Sequence, residues 1–448
     1  MHKFSIENRT YLIDEESLQC FRLDELACKG VELWEKSGQR ISSNKLAESL
    51  SVMGFNPNDI QDFIQEFNEI EKSSLHKPET IFPTHFLRSI ELHVAHSCNL
   101  GCKYCFAGEG NYGTTWGLMS KETAFKAIDL LVDQALPNET LTIIFFGGEP
   151  LLNFEVIKQV VEYTKTKYPN KIFDFSITTN GTLIDEQFAK LVRQNNFSVL
   201  VSMDGVGSTQ DKLRPFKNGN GSSSTIENNL KNVLTDYPAS VRSTITQENI
   251  DLVNLYNDLS KLGFKRIYCT PVSTDDNNLQ IKESEIDTLR SGLIDLANMY
   301  LECIKKEKRF AFGGFKNALS QIAQSKKSEY GCGAGKRFIT VTPEGDLYPC
   351  HRFVGREAYK IGVLDDGVDK VYLDRYWKEV VGKRKDCSKC WIRNYCGGGC
   401  LWEASDEEGN ISVVSDPILC EYRRLVFEVA IDLFARLERL DKKGDSNE

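Results

Sequence analysis

At 448 residues the chain is long enough for two to four domains and at least one large core. Hydrophobic residues make up 41% and charged residues 27%, no apolar run reaches the roughly 18 residues of a membrane span, and the opening MHKFSIENRTYLIDEES is polar where a secretory signal is apolar, so a cytoplasmic protein with no membrane partner is expected. The net charge of −9 argues against a nucleic-acid partner held by phosphate contacts.

Residues 1–72 read as a small module. Alternation in FSIENRTYLID and LQCFRLD predicts short strands, and three helical stretches follow, with Ser43 and Asn56 or Asn58 as N-caps of the second and third. The order suggests a winged-helix-like unit. Residues 73–88 hold two prolines and little periodicity and read as a linker. From 89 to about 272, apolar strands at 89–96, 141–147, 173–179, 198–203, 240–245 and 266–272 alternate with helical segments. Six β–α units in series imply a parallel sheet, as a partial barrel or an open sheet, with ligands at the carboxyl ends of the strands. Helices are predicted at 283–306 and 313–325, cysteines dominate 332–420, residues 421–440 are helical, and 441–448 read as a disordered tail.

Ten of the 14 cysteines fall in two clusters. A reducing compartment argues against disulfides and makes clustered cysteines metal or cluster ligands. Cys20, Cys28, Cys269 and Cys303 lack partner spacing and read as small core hydrophobes. Cys98, Cys102 and Cys105 form a C-x3-C-x2-C run just after the first of the six strands. A [4Fe–4S] cube has four iron corners, so three thiolates leave one iron open to a small chelating ligand. Structural zinc competes for such a run but asks for four protein ligands.

HSCNLGCKYCFAGEG, with Tyr104 before the last cysteine, resembles the signature of the radical SAM superfamily, in which S-adenosylmethionine (SAM) chelates the open iron and is cleaved to a 5′-deoxyadenosyl radical. The resemblance implies SAM contacts from Tyr104, from Gly147, Gly148 and Glu149 (a GGE element said to reach the SAM amino group), from Thr179 and Asn180, and from Ser202, Asp204 and Arg214, with Arg214 on the SAM carboxylate.

Cys332, Cys350, Cys387, Cys390, Cys396, Cys400 and Cys420 follow in an order similar to the SPASM domain, an extension of radical SAM enzymes with two auxiliary [4Fe–4S] clusters. As isolated chemistry, C-x2-C-x5-C-x3-C also suits a zinc knuckle. The resemblance implies Cys387, Cys390, Cys396 and Cys420 on Auxiliary II, and Cys332, Cys350 and Cys400 on Auxiliary I, for three clusters in all. Auxiliary I is then one ligand short, because residues 333–349 contain no cysteine. A vacant iron is a soft Lewis acid, which suggests a substrate thiolate there; water, Cys269 or Cys303 are the alternatives. His351 stands where sulfatase-maturing relatives carry an acidic base, and is a candidate for handling a proton.

The front module resembles the element that binds leader sequences of ribosomally made peptides by strand addition. Its 8 Lys/Arg against 14 Asp/Glu disfavour DNA. The fold expected is α/β: a partial (β/α)6 radical SAM barrel (89–310) between a winged-helix-like domain (1–72) and a C-terminal iron–sulfur SPASM region (311–440). The function implied is a peptide maturase that installs Cys-sulfur-to-carbon thioethers of sactipeptide or ranthipeptide type. Its partners would be a precursor peptide with a leader and a Cys-containing core and an electron donor such as flavodoxin or ferredoxin. Carbon–carbon crosslinking or side-chain oxidation, and a non-enzymatic iron–sulfur redox or scaffold role, are the competing readings.

Overall fold

The computed structural model describes residues 1–448 except 74–86, 235–238, 329, 370, 372–383, 385, 412–415 and 445–448, so most of the expected linker lies outside the described residues. Three antiparallel strands, β1 (His2–Ile6), β2 (Arg9–Ile13) and β3 (Cys20–Leu23), pair in chain order and lead into α1 (Glu25–Lys36), α2 (Ser43–Val52) and α3 (Pro57–Ser73). Ser42, not Ser43, caps α2, because Ser42 is the extended residue whose side chain accepts from Lys45 N. Asn56 Oδ1 accepts from Asn58 N at 2.8 Å ahead of α3. Leu12, Val31, Trp34 and Phe67 form one small core and Leu26, Leu46, Leu50 and Ile60 another.

The six expected strands form one parallel sheet. They are β4 (Ser89–His96), followed after the two-residue β5 (Gly117–Leu118) and α4 (Lys121–Asp133) by β6 (Leu141–Gly147). Next come α5 (Phe154–Lys167), β7 (Phe173–Thr179), α6 (Glu186–Gln194) and β8 (Phe197–Ser202). Then follow α7 (Ser208–Leu213), α8 (Ser223–Leu234), β9 (Ser240–Ile245), α9 (Leu252–Lys261) and β10 (Arg266–Pro271). Spatial order is β4-β6-β7-β8-β9-β10. Alternate residues such as Ile143, Phe145, Ile177, Val199, Val201 and Val241 are buried toward the helices, while Ile144, Phe146, Thr178, Leu200, Ser202 and Arg242 face a cavity.

The sheet does not stop at 310, where the sequence suggests a domain edge. Residues 311–313 run along β10, with Ile267 N donating to Ala311 O and Gly313 N to Ile267 O, both at 2.8 Å. After α10 (Ile286–Lys305) and α11 (Gly314–Ala323), β11 (Phe338–Val341) pairs in parallel with β4 in the register Phe338↔Ser89. β12 (Asp346–Tyr348), β13 (Gly362–Val363) and β14 (Gly367–Val368) extend that edge antiparallel. The single-turn α12 (Arg393–Cys396) and the long α13 (Pro417–Gly444) complete the chain. α13 packs on α10 and α11 and runs four residues into the stretch expected to be disordered; 445–448 lie outside the described residues.

The front unit docks on these last elements. Arg9 and Tyr11 donate to buried Asp432 of α13, Tyr11 at 2.7 Å. Arg393 of α12 donates to Glu15 at 2.6 Å and also to Glu16, and Tyr395 Oη to Leu18 O at 3.1 Å. Among the described residues no helix is long and apolar enough to cross a membrane.

Candidate active site

A cavity of about 1140 Å³ occupies the inward face of the parallel strands and their carboxyl ends. Cys98, Cys102 and Cys105 line it from the loop after β4. Two glycines at the end of β6 hold that loop. Gly147 has φ +125°, and a Cβ there would lie 2.3 Å from Ala95 O; one on Gly148 would lie 2.2 Å from Ser97 O. Their place is explained by backbone contact: Gly148 N donates to Ala95 O and Glu149 N to Ser97 O, both at 2.8 Å.

Glu149 is fully buried and, in contrast to the two glycines before it, is not among the residues that line the cavity. Its Oε1 accepts from Leu151 N at 3.0 Å and Thr179 Oγ1 at 2.7 Å, and its Oε2 from Asn180 N at 2.7 Å. The carboxylate braces the turns after β6 and β7, whose N–H groups need a buried acceptor. Asp204 is buried in the same way. It accepts from Tyr104 Oη and from Thr244 N (2.8 Å) behind the wall. Burial raises the pKa of both carboxyls. Gly147, Gly148, Thr179, Asn180, Ser202, Tyr104 and Arg214 do line the cavity. Arg214 Nη1 donates to Tyr104 Oη at 2.9 Å, and among the described residues its buried Nε has no partner, an open donor suited to an anion.

The donor set fits a cluster. Burial pushes the Cys98 and Cys102 thiols up to about 11, and Arg214 opposes this at both. Leu100 N (3.4 Å) and Asn180 Nδ2 (3.7 Å) also point at Cys98 Sγ, as donors to a thiolate would. Among the described residues no three His, Cys, Asp or Glu converge on a single metal ion. A cube asks for thiolates spread over separate irons.

Cys332, Cys350 and Cys400 line the same cavity. Cys350 is pushed well up by burial, with Cys400 and Cys332 adding to it, so the three lie within electrostatic reach of one another. Neither Cys269, buried on the helix-facing side of β10, nor Cys303 on α10 lines this cavity. Cys387, Cys390, Cys396 and Cys420 line a second cavity of about 250 Å³, beside Arg423 and Arg424. Gly397, Gly398 and Gly399 all have positive φ and turn the chain back between Cys396 and Cys400. A Cβ on Gly397 would lie 2.2 Å from Tyr330 O.

The Radical SAM superfamily model matches residues 92–259. The chain carries a radical SAM domain. A radical SAM cyclopropyl synthase, TigE, of Paramaledivibacter caminithermalis is 25% identical over 428 residues, covering 89% of this chain and 84% of the relative. The subtilosin biosynthesis protein AlbA of Bacillus subtilis is 24% identical over 417 residues, 87% of each chain. A cysteine-type anaerobic sulfatase-maturating enzyme of Clostridium novyi is 26% identical over 362 residues, 75% of this chain and 92% of that one. In fold, the chain is similar to anSMEcpe with bound AdoMet (TM-score 0.66, 22% identity, 78% of this chain and 98% of that one). It is also similar to Streptococcus suis SuiB bound to precursor peptide SuiA (TM-score 0.55, 16% identity, 92% and 96%).

On β4 the structure adds residues that read in the sequence as part of an apolar strand. Glu91 of β4 faces His351, with Nδ1 at 3.1 and 3.2 Å from the two carboxylate oxygens, and accepts from Thr340 Oγ1 at 2.6 Å. Burial would raise the Glu91 pKa, but His351 and His93 outweigh it and hold the carboxyl well below the usual range. His93 and His96 touch at 3.1 Å, and burial brings His96 down to about 3, so it is neutral. His351 stacks on Phe146 at 4.4 Å. The available signal was E-L-H at alternate positions of β4: polar residues on a face that a packed core would keep apolar.

Proposed function

We propose that the protein is a radical SAM peptide maturase that joins a cysteine sulfur of a ribosomally made precursor to carbon. Cys98, Cys102 and Cys105 would hold the [4Fe–4S] cluster, and Arg214, steadied by Tyr104, the carboxylate of SAM beside Gly147, Gly148, Thr179, Asn180 and Ser202. When bound, cluster and SAM supply a hydrogen-abstracting radical. The chain's own residues enclose the peptide, keep bulk water away and place His351, oriented by Glu91, for proton handling. Cys387, Cys390, Cys396 and Cys420 would hold an outer cluster exchanging electrons with a flavodoxin or ferredoxin. Residues 1–72 would hold the leader.

The observation that carries the thioether reading is that Cys332, Cys350 and Cys400 open on the same cavity as the first triad, while Cys396, which also reaches that cavity, shares the second one with Cys387, Cys390 and Cys420. A cluster there would keep one iron for substrate sulfur. The test is anaerobic reaction of the reconstituted enzyme with a Cys-containing precursor. Expected are a mass loss of two hydrogens per crosslink and a change in the cluster's electron paramagnetic resonance on adding peptide thiol. An unchanged spectrum would count against the sulfur site. The likeness to a cyclopropyl synthase over 89% of the chain favours a second reading, carbon–carbon bond formation. Replacing the substrate cysteines separates the two, because only the thioether route then stops.

A further inference from the structure

Arg242 sits in the middle of β9, in register with Ser202 of β8 and Tyr268 of β10. Alternation buries Val241 and Ser243 toward the helices and turns Arg242 inward, where it lines the cavity and is reached by the cavity's solvent. Among the described residues its guanidinium has no hydrogen bond or ion pair. Its largest charged influences are Arg352, which repels it, and Cys400 and Glu403, which attract it; desolvation and Arg352 together push its pKa down. Arg352 lines the same cavity, packs over Trp402 at 4.1 Å and Phe106 at 5.1 Å, and among the described residues leaves its buried Nε without a partner. Glu403 cannot satisfy all of them. Its Oε2 is taken by Arg423 at 2.8 Å, and its Oε1 stands 3.7 Å from Arg352. Arg423 and Arg352 therefore share Glu403, and Arg242 on the same cavity wall has, among the described residues, no carboxylate of its own.

Two cations that face one cavity repel each other, and an anion between them relieves that repulsion. Two guanidiniums with free N–H groups match a carboxylate, which each can grip with paired hydrogen bonds. We propose that Arg242 and Arg352 form a carboxylate subsite of the reaction cavity. It takes an acidic group of the peptide substrate, an Asp or Glu side chain or the C-terminal carboxylate, and so fixes which residue is presented for reaction. Arg242 lines the same cavity as Tyr104, beside the first triad, and Cys400, in the second group, so a peptide anchored there lies in the space on which both groups open. The subsite rests on the peptide-maturase reading but not on which bond is made.

The test uses full-length, cluster-reconstituted protein with saturating SAM, so that Arg214 is already engaged. Three probes are compared by saturation-transfer NMR: N-acetyl-aspartate α-amide, N-acetylglycine and the neutral N-acetyl-asparagine amide. An acidic probe should bind about tenfold tighter than the neutral one. Preference for the first acidic probe assigns a side chain, and for the second a C-terminus. Arg242→Glu should abolish the preference and Arg242→Lys keep part of it. Equal binding of acidic and neutral probes, or a preference that survives Arg242→Glu, overturns the subsite. Should Arg242→Glu fail to fold, Arg352→Gln and the wild-type comparison decide. A persisting carboxylate preference in a protein that modifies no peptide would sink the maturase reading and leave the subsite standing.

Discussion

Cys98, Cys102 and Cys105 follow β4, a strand paired in parallel with β6 on one side and β11 on the other. Cys387, Cys390, Cys396 and Cys420 come instead from a short 3-10 turn, the single-turn α12 and the first turn of α13. Those pieces are tied by individual side chains: Arg393 to Glu15 and Glu16, Arg384 to Gly398 O at 2.8 Å, and Arg423 to Glu403 at 2.8 Å. A loop hung on a ladder of backbone bonds keeps its place when its ligand leaves. A pocket assembled from isolated contacts depends on the ligand, so binding there is folding free energy.

Four measurements can break or sharpen this contrast. The largest effect is expected from Cys102→Ala, which should reduce 5′-deoxyadenosine formation below detection while amide-exchange protection of β4 and β6 stays unchanged. Next, chelating iron from the holo protein should cost residues 387–400 and 417–424 most of their amide protection and leave β6 to β8 protected. Equal loss in 141–147 would end the distinction. Third, Arg393→Ala removes charged hydrogen bonds to the front unit and should cost about 2 kcal/mol, seen as a lower melting temperature and faster proteolysis of residues 1–72. The smallest effect is on the barrel side. Glu91→Gln weakens the bonds to His351 and Thr340 and should cost about 1.5 kcal/mol near neutrality. The Glu91 carboxyl is held below its unfolded value, so its contribution is complete above about pH 4.3 and fades as pH falls through the lowered pKa. The acid limb of melting temperature against pH should therefore be shallower in Glu91→Gln than in the parent.

The same contrast explains what could be read from the sequence. The six strands and their helices were legible because each is long enough to show its period, as in Ser89–His96 or Phe173–Thr179. β11 and β12 were not, having four and three residues and owing their existence to the β4 edge about 250 positions earlier. Cys332, Cys350 and Cys400 line the larger cavity and Cys387, Cys390, Cys396 and Cys420 the smaller, with Cys396 and Cys400 reaching both. Motif reading does not reveal the donors that Glu149 and Asp204 hold, since Thr179, Asn180, Tyr104 and Thr244 come from other parts of the chain. Glu91 and Arg242 were missed because their significance lies in partners, or a lack of them, on remote strands and loops.

The pairing of β11 with β4 bears on any attempt to recombine such enzymes. The stretch joining Cys332 to Cys350 passes through the barrel's own sheet, so a chimaera cut at residue 310 would strip β4 of a neighbour and leave a bare hydrogen-bonding row exposed to other chains. A graft meant to exchange one cysteine-rich half for another should carry a matching β11 or leave 338–341 in place. The reaction half and the cysteine-rich half are therefore not interchangeable cassettes.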